Sequence, residues 1–382
     1  MTTSLLCRVA GCCLLAWGTA AAAAGAPALS DTMSLDEIAR ALEVYPPRWE
    51  FGDQRAPIMA SLDRHVTVQI RKDWTDAERT RLKPLHAFYL QRVDRGLDAL
   101  ERARVTTGVH VFKFYSSSFV FKTAQGTVAV DFCQGPINNA GEPETRDEYA
   151  SGFYWRPDQR DRLARLVDVY LITHRHHDHS DYSLAKRLAA RGGSVVGPAQ
   201  LKQTWPDLAD KLTVPDYGQS QKFGPVEIFT MLGAQYSRNE PTGNATERVG
   251  VPNRENPAQD TETAVYLFKL GGITLLTGAE NHVPGGDWLR RGVAVGFQPQ
   301  VRLSLGQFQG ERALSVELKT MKPLFRLPLH EYEMLHDRGG NRTGPLLQGS
   351  SRAAFERREM MPLLWGEDFH LTEEVAAIKR VH

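Results

Sequence analysis

His174, His176, Asp178 and His179, all side chains that can bind a metal ion, fall within six consecutive residues, inside the stretch Thr173 to Asp181 that reads THRHHDHSD. Neutral imidazoles and a carboxylate are the donors that a borderline ion such as Zn²⁺ binds well, and Mn²⁺ or Fe would find usable donors in the same set. On an extended loop, residues 174, 176 and 178 project the same way, and a turn after 178 lets His179 face a second position. One short loop can therefore serve one ion or two. The chemistry such a loop supports is hydrolysis by a water that the metal has made acidic. His65, His86, His110, His370 and His382 stand alone in the sequence and read as packing or surface residues. Cys133 follows a strand-like run and reads as a small buried thiol, not a nucleophile.

The elements around the cluster follow from hydrophobic period and punctuation. Val167 to Ile172 is an apolar run that enters the cluster directly, and Tyr182 to Ala190 has helical character ending at Gly192-Gly193, so the cluster lies on a strand-to-helix loop. Asp181 is placed to cap that helix or to orient a ligand histidine. Upstream, Val109–Tyr115, Ser118–Thr123 and Thr127–Phe132 are rich in β-branched and aromatic residues and read as strands of one sheet. Further strands are expected at Val226–Leu232, Ala264–Leu270, Ile273–Thr277 and Leu324–Leu329. Before all of these, Ser34-Leu35-Asp36-Glu37 has the spacing of a capping box, with Met33 and Ile38 placed as a hydrophobic staple. A second box at Thr75 to Glu78 opens a stripe of Leu82, Leu85, Tyr89, Val93, Leu97 and Leu100 at helical spacing. The expected organisation is a helical extension over residues 27–105, a layered α/β domain over 106–345, and a mostly polar tail over 346–382 with a helix at Glu373 to Val381.

Arg8 followed by an apolar, alanine-rich run to about Ala24, with small residues at Ala22, Ala24 and Ala26, reads as a signal peptide over residues 1–26. That run is shorter than the roughly 20 apolar residues a spanning helix needs. The expectation is an exported, periplasmic or secreted protein with no membrane span in the mature chain. Cys7, Cys12 and Cys13 fall in the leader, so the mature chain keeps Cys133 alone and cannot form an internal disulfide. A net charge of +1, from 46 basic and 45 acidic residues, provides no global field for nucleic acid, and no nucleic-acid partner is expected.

An apolar strand followed by Thr-His-x-His-x-Asp-His-x-Asp resembles the signature of the metallo-β-lactamase-fold hydrolases. Leu171 to Pro198, LITHRHHDHSDYSLAKRLAARGGSVVGP, is similar to the branch that contains ascorbate-phosphate lactonases and N-acyl-phosphatidylethanolamine phospholipases. The resemblance implies an αββα sandwich with its ligands on loops at one edge. It also implies that His174 and His176 serve one ion and that Asp178 and His179 serve the other. His330, at the end of the strand-like Leu324–Leu329 run, matches the final histidine, with His282 and His336 as weaker competitors.

Two ligands implied by the resemblance are missing. No histidine occurs between Asp181 and Asn281, and the best match to the middle one is Gln235, a neutral and poor substitute for imidazole. Where a bridging aspartate should follow Gly278 stands Ala279, then Glu280, which either reaches the metals or is a solvated loop carboxylate. Ligand counting then favours an asymmetric site: Asp178, His179 and His330, with or without Glu280, hold one ion, and His174 and His176 alone hold the other weakly unless His282 joins them. Asp131 reads as structural support beneath the site. The expected function is hydrolysis of an ester or lactone, an amide or a phosphodiester by metal-bound hydroxide, with Asp178 or Glu280 managing the proton. The rival expectation is a metal- or ligand-binding protein of the same fold without catalysis.

Overall fold

The computed structural model describes residues 28–66, 76–135, 155–176, 178–235, 238–241, 248–251, 261–277, 286–305, 323–330, 332 and 349–381. Among them, helix α1 (Leu35–Val44) starts where the capping box predicts: the Ser34 hydroxyl accepts from Glu37 N, and the Glu37 carboxylate accepts from Ser34 N. Helix α2 (Gly52–Val66) contains Pro57 and has a weak apolar stripe, so its pattern is hard to read in sequence. Helix α3 (Asp76–Arg102) buries its whole predicted stripe, from Leu82 to Leu100.

Two sheets follow. The first has the order β15-β1-β2-β3-β4-β5-β6, with β1 His110–Lys113, β2 Phe119–Lys122, β3 Thr127–Val130, β4 Val169–Leu171, β5 Ser194–Val196, β6 Leu212–Thr213 and β15 Asp368–His370. The second has the order β14-β13-β12-β11-β8-β7, with β7 Ser220–Phe223, β8 Val226–Gln235, β11 Thr261–Leu270, β12 Ile273–Thr277, β13 Val301–Leu305 and β14 Phe325–Leu329. A separate pair joins β9 (Arg238–Pro241) to β10 (Arg248–Val251).

The alternation of side chains along a strand explains the layers. Val226 and Ile228 of β8, with Ala264, Tyr266 and Phe268 of β11, point into the large core shared with the first sheet, where Phe121 meets Phe268 edge-on at 5.8 Å between ring centres. Phe229, Met231, Val265 and Leu267 point the other way, into a small cluster with Trp288 and Val293 of helix α6 (Gly286–Ala294). Beyond the first sheet, α3 packs on α4 (Pro157–Leu166), and α4 on α5 (Tyr182–Ala190), which itself lies on β5. Helix, sheet, sheet, helix is the αββα order that the family resemblance implies. None of the described helices is long and apolar enough to cross a membrane.

The tail, polar in sequence, is built into the fold. Strand β15 pairs antiparallel with β1, Phe369 opposite Val111, and Met360 to Trp365 are almost wholly buried beside the N-terminal helices. The predicted tail helix is present as Leu371–Val381. Arg55 of α2 donates to both carboxylate oxygens of Glu367, at 2.7 and 2.6 Å, with both side chains at 1% exposure or less. Among the described residues, the N-terminal helices and the tail therefore share one hydrophobic core with the first sheet.

Two outcomes follow from these contacts. Removing one partner of a buried pair leaves the other charge uncompensated, so Glu367→Ala should lower the unfolding free energy by ~3–5 kcal/mol in urea titration; a loss below ~1 kcal/mol would mean that the pair does not hold the tail. For Asp368, burial alone would raise the carboxyl, but the hydrogen bond with His110 at 2.8 Å and the charge of Arg95 outweigh it and hold the group below its ordinary range. A depressed carboxyl contributes stability above its unfolded value of ~3.9 and loses it as pH falls through the folded one. Asp368→Asn should accordingly cost stability at neutral pH and progressively less in acid, as thermal melts across pH would register.

Candidate metal centre

Strand directions gather the site at one edge of the sandwich. Strands β3 and β4 run parallel, and β2 runs antiparallel to β3 with Phe119 opposite Val130. The ends of β3 and β4 therefore meet the turn between β1 and β2. The Thr173–Asp181 loop leaves β4 at that edge. The second sheet braces it: Ala264 N donates to Thr173 O at 2.7 Å, and the Tyr266 hydroxyl to Ile172 O at 2.8 Å. His330 arrives from the other sheet, on the residue after β14.

Asp131, just past β3, organises the loop. Its buried carboxylate accepts from Thr173 N at 2.8 Å, from the Thr173 hydroxyl at 2.8 and 2.9 Å, and from His179 Nδ1 at 3.1 Å. A carboxylate only accepts, so His179 must carry its proton on Nδ1, which leaves the Nε2 lone pair for an ion. The Thr173 hydroxyl, having given its proton to Asp131, accepts from His174 Nδ1 at 3.0 Å, and the lone pair of His174 is likewise on Nε2. One aspartate and one threonine thus set the tautomers of two histidines.

Ligating atoms of His174, Asp178 and His179 all lie within 4.8 Å of one another, on three buried residues. Their donor types and fixed tautomers fit a zinc-like ion. The ring of His176, half-buried, is 4.6 Å from that of His174. His330 stands on the far side, its ring 5.0 Å from that of His179 and its Nδ1 3.8 Å from Asp178 Oδ2. The structure thus draws His174 together with Asp178 and His179, whereas the family pattern divides them between two ions. The loop doubles back after His176, His179 N donating to His176 O at 2.9 Å, which brings the two ends of the cluster together.

Other candidates are placed as follows. The Asp181 carboxylate caps α5, accepting from Leu184 N at 2.7 Å and from Gln134 Nε2 at 3.1 Å. Gln235 is the last residue of β8, paired with Thr261, and its side chain lies outside the described residues. Glu280, His282 and His336 also lie outside them. Cys133 is a buried free thiol. Thr173 belongs to the motif but has no role assigned by its pattern, and Ser116 and Ser117 stand outside the motif altogether. The available signal was Ser116-Ser117-Ser118, a polar break between two aromatic, apolar strands.

Backbone strain marks the same place. Of five non-glycine residues with positive φ among those described, Ser116, Asp131 and His330 line this edge and Tyr332 follows it. Such conformations cost on the order of 1–3 kcal/mol each and persist where the surroundings over-determine them. A relay also runs in from the N-terminal helices: Trp155 Nε1 donates to the Tyr89 hydroxyl at 2.8 Å, Tyr89 donates to Gln134 O, and Gln134 donates to Asp181. Burial holds the Tyr89 phenol well above its ordinary range, so it stays a donor.

Two sheets face to face between helical layers, with a His-x-His-x-Asp-His loop at the strand edge, make this a metallo-β-lactamase-like fold. No family model matches the chain, and no curated protein matches it significantly. Among solved structures, the chain is similar to a possible metal-dependent hydrolase from Veillonella parvula (13% identity, 70% of this chain and 100% of that one, TM-score 0.46). It is also similar to an isothiocyanate hydrolase from Delia radicum gut bacteria (14%, 68% and 98%, TM-score 0.45). A third is the metallo-beta-lactamase fold protein YhfI from Bacillus subtilis (12%, 68% and 99%, TM-score 0.38). At these identities and scores the likenesses say nothing of activity; the assignment of fold stands on the sheets and the loop.

Removing the Asp131 carboxylate strands three donor groups, each worth roughly 1–3 kcal/mol when left buried and unsatisfied. Asp131→Ala should therefore lower the melting temperature and reduce the zinc retained through gel filtration, while Asp131→Asn should fall between it and the parent. Full zinc retention in Asp131→Ala would show that the histidines hold their orientation without it.

Proposed function

We propose that the protein is an exported metal-dependent hydrolase whose principal ion is held by His174, Asp178 and His179, with His330 as a further ligand from across the sandwich. The observation that carries this reading is the convergence of three buried ligating atoms within 4.8 Å, with two imidazoles locked in the tautomer that binds metal. When bound, the ion supplies Lewis acidity and a water acidified toward a pKa of ~7. The chain's own residues do the rest. Asp131 and Thr173 orient the two rings, and Asp178, whose Oδ2 is 3.7 Å from His179 Nε2 and 3.8 Å from His330 Nδ1, is the carboxylate placed to hold or pass a proton. The substrate classes we propose are a lactone or other ester, an amide, or a phosphodiester, all small molecules; the similarity of Leu171–Pro198 to lactonases and phospholipases supports the first and last. The leader-like first 26 residues support periplasmic or secreted placement.

A second reading has its own support. The absence of any histidine between Asp181 and Asn281, with Ala279 where a bridging aspartate would stand, favours a metal- or ligand-binding protein of this fold that does not turn over substrate.

Elemental mass spectrometry of the chain from Pro27, purified without chelator, separates these readings when joined to a hydrolysis screen. A single firmly bound ion, lost in His179→Ala and in the His174→Ala/His176→Ala variant together with hydrolysis, is the expected result. A retained ion with no turnover of any substrate class moves the protein to the binding reading. No ion in the parent, even after zinc or manganese is supplied, overturns both metal readings.

A further inference from the structure

We infer that the turn Ser116–Ser118 is a positioning device for His330, in which Ser117 fixes the ring so that Nδ1, and not Nε2, is presented to the metal cluster. The inference rests on the metal reading above. His330 is buried at 1% exposure between two serine hydroxyls, themselves fully buried: Ser117 Oγ is 3.0 Å from Nε2, and Ser116 Oγ is 3.3 Å from Nδ1. The nitrogen turned toward the cluster is Nδ1, 3.8 Å from Asp178 Oδ2.

A neutral imidazole has one donor and one acceptor nitrogen, and only the acceptor can bind an ion. Nδ1, 3.8 Å from Asp178 and so not hydrogen-bonded to it, can bind an ion only with its lone pair free, which places the proton on Nε2, donated to Ser117 Oγ at 3.0 Å. Ser117 then does for His330 what Asp131 does for His179 at the opposite nitrogen. The Ser116 hydroxyl has the other role: it donates to the Nδ1 lone pair and competes with an ion for it.

The turn is itself held. Lys113, buried at 1% exposure, lies 4.1 Å over the Phe119 ring and donates its ammonium to Ser116 O, beneath the left-handed backbone of that residue (φ 46°). Ser118 is the anchor, its hydroxyl accepting from Cys133 N at 2.7 Å and donating to Cys133 O at 3.0 Å. One serine thus fastens the turn to the chain beyond β3, and the two before it face the histidine.

The test compares zinc affinity, by competition with a chelator, in the parent, Ser117→Ala, Ser117→Thr and Ser116→Gly, and reads the His330 tautomer by long-range ¹⁵N–¹H NMR in zinc-free and zinc-loaded protein. Loss of an outer hydrogen bond to a ligand histidine typically costs ~10–100-fold in metal affinity. Ser117→Ala should show that loss and Ser117→Thr should recover most of it. Ser116→Gly, which keeps the left-handed backbone and removes the competitor, should bind zinc at least as tightly as the parent. The zinc-free parent should carry the His330 proton on Nε2, and zinc should shift the Nδ1 resonance. A proton on Nδ1, parent affinity in Ser117→Ala, or equal weakening by the two serine variants would overturn the inference. Should Ser117→Ala fail to fold, the parent tautomer decides alone. A parent that takes up no zinc overturns the metal reading itself, whereas one that binds zinc with Ser117→Ala unaffected overturns only the role given to the serine.

Discussion

A buried carboxylate at the end of β3 is the constraint from which the metal edge is built. Asp131 sits in a left-handed conformation with its oxygens surrounded by Thr173 and His179. Desolvating a carboxylate is costly unless donors replace the lost water, and three donor groups on the motif loop do so. The same hydrogen bonds dictate where that loop leaves β4 and which nitrogen of His179 is proton-free. Folding and ligand orientation are thus one event at this residue, since the loop cannot satisfy Asp131 without also aiming its histidines.

Around that point the sandwich supplies rigidity from both sides. The second sheet reaches the loop through Ala264 and Tyr266 and delivers His330, while the first sheet supplies the three-serine turn that receives it. Neither sheet alone contains the site. The N-terminal helices, which resemble an appendage in sequence, reach the same edge through Tyr89, Gln134 and Asp181, so the first turn of the helix after the loop is tied to a tyrosine about a hundred residues earlier. The buried pair between Arg55 and Glu367 closes the structure by fastening those helices to the tail that forms the edge strand.

The site is asymmetric in a way that matters chemically. On one side, His174, Asp178 and His179 converge, the two histidines with their tautomers set by Thr173 and Asp131. On the other, His176 is half-buried, and the sequence between Asp181 and Asn281 contains no histidine. His330 faces Asp178 from across the sandwich, framed by hydroxyls that determine which nitrogen it offers.

The sequence by itself determined what could be settled over short distances along the chain. His174 to His179 were legible as a metal loop because the donors are packed within six residues, α5 because Asp181 and the Gly192-Gly193 pair bound it, and the central strands because their β-branched and aromatic runs are punctuated by glycine turns. Tertiary structure decided everything that depends on which distant groups meet. Asp131 and Thr173 are 42 residues apart, Ser117 and His330 are 213 apart, and Arg55 and Glu367 are 312 apart, and no local pattern couples them. Strand β15 has three residues and no periodicity to read; it exists because β1 offers an open edge. The partition of the histidines belongs to the same class. Spacing alone would set 174 apart from 179, but the turn after His176 folds them onto one another, because a hydrogen bond across the loop and the pull of Asp131 outweigh the extended path.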